Sequence, residues 1–154
     1  MALEGAEEAM IGLLLPVMVL QGVLFTALLF CTSLHDLKTR QIPDSLPLAI
    51  GAVGLLHFSP FPAFFGLLVT GLPYLIAAML SKGKIGGGDI KLMAACGFVL
   101  GPAYGTLQSM IGLSLVLLVA AGIGFRFGFQ TAKQTALPLA PFLSAGGVLA
   151  FLIS

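Results

Sequence analysis

The sequence predicts an all-α fold, a polytopic integral membrane helix bundle with about six transmembrane helices in a single domain over residues 1–154. Three observations carry this. Of 154 residues, 58% are hydrophobic and 8% are charged, where a soluble domain would give about a quarter of its residues to charge. Polar and Gly/Pro clusters cut the chain into apolar runs, several near the ~20 residues that a spanning helix needs. All seven Lys and Arg fall on alternate connections between those runs. The same composition excludes a disordered chain and a nucleic-acid partner, and points to the lipid bilayer as a partner. The oligomeric state is not written in the sequence.

The first run covers residues 10–34 and ends at the polar stretch 35–44. Glu4, Glu7 and Glu8 precede it where a cleaved signal would carry bases, so this span is expected to be retained. A second, short run covers residues 45–58 and stops at Ser59-Pro60-Phe61-Pro62, which favours a tight connection. The third continues to residue 81, before the loop 82–89. The fourth, 90–100, ends at a turn marked by Gly101, Pro102 and Gly105. The fifth covers 106–125, and the sixth starts near residue 137, its start bent or delayed by Pro138 and Pro141. Cys31 and Cys96 lie inside apolar runs with no CxxC or Cys/His pattern, so they read as small buried hydrophobes.

Alternating six helices places Lys38, Arg40, Lys82, Lys84, Lys91, Arg126 and Lys133 on one face. The positive-inside rule makes that face cytoplasmic and leaves the N-terminus outside. Asp36, Asp44 and Asp89 stay on the basic side. Asp44, between Pro43 and Ser45, reads as the N-cap of the second helix.

Asp36 and Asp89 are 53 positions apart, yet the topology brings them to one depth. Two carboxyls sharing one proton leave one ionised and one neutral. The ionised member can take a proton from water while the neutral one hydrogen-bonds a scissile carbonyl. That is aspartic peptidase chemistry, which requires no metal and no cofactor. Gly86, Gly87 and Gly88 can adopt positive φ and let a second backbone approach. The alternative is a loop with Asp89 as its helix cap. Asp36 sits just past a helix C-terminus, where an acid opposes the macrodipole. The two macrodipoles place the shared proton on Asp36 and leave Asp89 as the base.

At these residues the sequence resembles type IV prepilin peptidases. The run from Asp36 to Asp44, DLKTRQIPD, matches their Dx[KR]xRxIP[DN] pattern, and Gly86-Gly87-Gly88-Asp89-Ile90-Lys91 matches GxGDxK. Pro138-Leu139-Ala140-Pro141-Phe142-Leu143 is similar to a closing PxxPFL segment. The resemblance covers nearly the whole chain and implies cleavage of prepilin or pseudopilin leaders at the cytoplasmic face of the bacterial inner membrane, with Asp36 and Asp89 catalytic. Lys91 and Arg40 are candidates for substrate binding or loop support. Without an inserted domain bearing paired CxxC motifs, the chain resembles the small, peptidase-only branch of the tight-adherence or Flp type, with no N-methylation expected. Presenilin-like proteases share GxGD, but their YD and PAL signatures are missing. Rival readings are a small transporter or proton channel using the same aspartates, and a noncatalytic assembly subunit.

Overall fold

The computed structural model describes the backbone of residues 2–81, 86–127 and 137–154, with side chains from residue 12 onward except at Phe127. Helix α1 (Ala2–Thr39) is followed by α2 (Ser45–Gly54) and a 3-10 turn (Leu55–His57). Next come α3 (Pro60–Leu80), α4 (Gly87–Phe127) and α5 (Ala140–Ile153). No strand occurs among the described residues. The chain is thus an all-α bundle.

The expected boundaries moved in instructive ways. α1 runs on to Thr39 rather than ending at Leu34, because Asp36, Leu37 and Lys38 are compatible with helix and no breaker occurs before Pro43. Ser59-Pro60-Phe61-Pro62 is not a separate connection. Pro60 starts α3, since a first-turn residue needs no N–H acceptor and proline's φ is already helical. α5 starts at Ala140, with the delay expected from Pro138 and Pro141.

The fourth and fifth predicted helices form the single element α4, which would be ~60 Å long if straight, about twice the hydrocarbon thickness. It breaks at Gly101 (φ 74°, ψ −179°), a conformation essentially confined to glycine. Gly105 stays helical instead of marking the turn. A Cβ on Gly105 would lie 3.2 Å from the Gly97 Cα, whereas residues eight apart in a straight helix are separated by ~12 Å. The two arms of α4 therefore fold back on each other.

With lipid outside, helices are held by close backbone approach and by polar side chains between them. Gly66 of α3 meets the Gly97 carbonyl of α4 so closely that a side chain at Gly66 has no room. The Thr70 hydroxyl donates to the Met93 carbonyl at 2.8 Å. Gln108 donates to the Leu143 carbonyl at 3.1 Å, and the Ser144 hydroxyl to the Leu29 carbonyl, also at 3.1 Å. These bonds run α3 antiparallel to the first arm of α4, and α5 antiparallel to α1. Phe25, Leu29, Ile50, Leu92, Cys96 and Ala140 form the main core cluster. Cys96 is buried as expected, whereas Cys31 is exposed on α1.

Large apolar side chains such as Phe61, Met79, Leu117 and Leu118 are exposed around the bundle. Three of the described helices carry stretches long and apolar enough to cross a bilayer, Gly12–Thr39, Pro60–Leu80 and Gly87–Arg126. An apolar surface of this extent belongs in a membrane. One end of the bundle gathers the C-terminus of α1 and the N-termini of α2, α4 and α5, and there the aspartates meet.

Candidate active site

Asp36 lies in the last turn of α1, not beyond it, and is 7% exposed. Its backbone carbonyl accepts the Arg40 N–H at 2.8 Å. Arg40 then leaves the helix with φ 53°, a left-handed conformation that costs a non-glycine residue about 1–2 kcal/mol. The turn sends Gln41 and Ile42 back across the end of the bundle. On the carboxyl side, Asp36 Oδ2 accepts the backbone N–H of Ala140 at 3.1 Å in a buried contact. A residue 104 positions downstream thus anchors it.

α4 begins at Gly87, so Asp89 occupies its first turn rather than the cap. The Asp89 N–H donates to the Gly86 carbonyl at 3.1 Å, closing the turn. Gly86, Gly87 and Gly88 do not adopt the positive φ expected of them. What Gly88 supplies is the absence of a side chain. A Cβ there would sit 2.7 Å from the Ile42 Cβ, and the loop after α1 packs into that gap.

Asp44 is a correction of another kind. It stands at the N-cap of α2 but makes no side-chain cap bond, with φ −61° and ψ −22°. That helical backbone turns the carboxylate away from the first N–H groups. It pairs with Lys91 Nζ at 2.7 Å instead. Lys91 ties the loop after α1 to the start of α4. Lys82 and Lys84 lie outside the described residues, as does Lys133.

Asp36, Arg40, Gln41, Ile42, Gly86, Gly87, Gly88 and Asp89 together line one cavity of about 270 Å³. Liquid water takes about 30 Å³ per molecule, so the cavity has room for several. The structure thus brings together every predicted site residue except Lys91, which pairs with Asp44 and lines a separate cavity with it. Sequence reasoning missed Gln41, Ile42 and the Ala140 N–H. The only trace of the last was the unexplained Pro138–Leu143 segment.

A membrane helix bundle with two carboxyl-bearing residues around one cavity at its end is the class that fold and site define. The model of the type IV leader peptidase family matches residues 23–154, and the chain belongs to that family. Similar curated proteins carry the name prepilin leader peptidase/N-methyltransferase. The one from Bacillus subtilis (strain 168) is 31% identical over 145 residues, covering 85% of this chain and 54% of that protein. The Neisseria gonorrhoeae protein is 35% identical over 126 residues, covering 71% and 44%. That of Burkholderia pseudomallei (strain 1026b) is 30% identical over 132 residues, covering 79% and 42%. The chain spans about half the length of the curated relatives it matches. No solved structure is significantly similar to it.

Proposed function

We propose that this protein is an aspartic endopeptidase that cleaves the leader peptides of type IV prepilins or pseudopilins, with residues 1–154 acting as one membrane domain. The observation that carries the proposal is the single cavity lined by both Asp36 and Asp89. Family membership supplies the substrate class. Of the two activities in the relatives' shared name, leader-peptide cleavage alone is carried over.

In this mechanism the carboxyls of Asp36 and Asp89 hold one proton between them. The ionised one removes a proton from water as its oxygen attacks the scissile carbonyl. The protonated one hydrogen-bonds the carbonyl oxygen and steadies the negative charge that develops there. Collapse of the tetrahedral intermediate breaks the C–N bond, and a proton passes to the leaving amine. Arg40 and the glycine turn border the space a peptide would enter, and Lys91 supports the loop. Lys38, Arg40 and Lys91 gather at this end, which supports placing it at the cytoplasmic face of the bacterial inner membrane with the N-terminus outside. A transporter would need its carboxylates deep within the spans, whereas both aspartates sit in terminal turns at one end of the bundle.

The test is cleavage of a purified prepilin by the parental protein and by Asp36→Asn and Asp89→Asn in lipid or detergent. Both variants should fold and lose cleavage by at least a hundredfold, a magnitude typical for removal of a general acid or base. Parental rates in either variant would refute the paired mechanism.

A further inference from the structure

The two macrodipoles considered in sequence, those of the helices bearing Asp36 and Asp89, put the proton on Asp36. The structure adds a third helix end that was not in that argument. Ala140 is the first residue of the 14-residue helix α5, and its N–H is one of those a helix leaves without an intrahelical acceptor. Pro141 has no N–H at all, so Ala140 carries the first of the free donors. It is directed at Asp36 Oδ2, 3.1 Å away.

Both partners are withdrawn from solvent, Ala140 at 0% and Asp36 at 7% exposure. Asp36 Oδ2 is the acceptor of this buried donor. The register of α5 on α1 is fixed one turn further on, where Ser144 donates to the Leu29 carbonyl. Leu139, just before the helix, and Ile90, just after Asp89, pack against the same cluster of Tyr74, Met93 and Leu143. The start of α5 is therefore braced against the turn that carries Asp89 while it holds Asp36. No hydrogen bond to the Asp89 carboxylate is made among the described residues.

We propose that the Ala140 N–H, at the N-terminus of α5, positions the Asp36 carboxyl for its part in the pair. A buried backbone donor holds the carboxyl by one oxygen and in one orientation, as a general acid or base requires. The inference rests on the peptidase reading. Ala140 is a positioning residue, acting through its backbone, so Ala140→Gly would leave the device intact.

The test removes the N–H by replacing Ala140 with lactic acid, so that an ester stands in place of the amide and the Leu139 carbonyl, which accepts the Leu143 N–H at 3.2 Å, becomes a weaker acceptor. The control is the same replacement at Ala63, whose N–H donates to the Ser59 carbonyl at 3.0 Å in the first turn of α3. Loss of one hydrogen bond to a charged group should lower kcat for prepilin cleavage roughly ten- to a hundredfold, with KM within about twofold. The Ala63 ester should leave kcat unmoved. Equal kcat for the two esters, or a loss confined to KM and thermal stability, would overturn the proposal.

A second measurement does not depend on folding of the ester. The Ala140 amide proton, observed by NMR in the nitrogen-15-labelled protein, should move upfield in Asp36→Asn and stay in place in Asp89→Asn. An unmoved resonance in Asp36→Asn would overturn the proposal. Cleavage by Asp36→Asn with a shifted resonance would instead refute the peptidase mechanism and leave the hydrogen bond standing.

Discussion

Substituting the three glycines before Asp89 one at a time separates a requirement for space from a requirement for flexibility. None of them has a φ in the left-handed region, so alanine is conformationally acceptable at each. Their surroundings differ. A Cβ at Gly87 meets nothing within 4 Å, one at Gly86 lies 3.4 Å from Asp89 Oδ2, and one at Gly88 lies 2.7 Å from the Ile42 Cβ. In Gly88→Ala the gap must open by about 0.7 Å to reach the 3.4 Å at which ordinary contact begins. The Ile42 Cβ is next to the backbone and cannot swing away, so either the loop after α1 or the first turn of α4 must shift. Overpacking of this kind costs about 1–3 kcal/mol. Misplacement of reacting groups by ~1 Å costs up to about a hundredfold in rate. Gly88→Ala should therefore cleave a prepilin roughly ten- to a hundredfold more slowly, and Gly87→Ala at nearly the parental rate. Initial rates in detergent, with thermal unfolding of each variant, make the comparison. Equal damage at Gly87 and Gly88, or none at Gly88, would refute the steric argument.

Lys91→Met should lower stability by less than about 1 kcal/mol and change cleavage only a few-fold, because the Asp44 pair is more than half exposed. A hundredfold loss at saturating substrate would instead make Lys91 a contact to the reacting peptide. Gly101→Ala should cost about 1–3 kcal/mol from backbone conformation alone, since the nearest atom to an added Cβ is 3.8 Å away. Unfolding by denaturant should show that cost, and an unchanged midpoint would mean that the fold-back of α4 does not depend on this glycine.

The membrane bundle and the aspartate pair were legible because each rests on a one-dimensional signal. Apolar run length marks helices, and alternation of helices assigns Asp36 and Asp89 to one end. Boundaries are harder to read, since a polar residue is not in itself a stop signal. Asp36 and Lys38 are polar but helix-compatible, and α1 continues through both. Asp44 shows a similar limit. Its place before Ser45 fits a cap, but the choice between capping and pairing depends on a backbone angle and on Lys91, 47 positions away.

The same limit applies to a helix macrodipole read from sequence. A macrodipole can be assigned to the helix that carries a residue, but the helix end that a side chain meets in space is set by packing. Asp36 opposes the dipole of α1, and on that count alone it is badly placed. The N-terminus of α5 arrives from the other end of the chain, and Ser144 and Leu29 fix the register that lets Ala140 reach it. The pair is therefore unequal in support. Asp36 is held by a buried backbone bond between two long-range partners, whereas Asp89 rides on a short turn braced by the Gly88–Ile42 contact, Ile90 and an exposed ion pair.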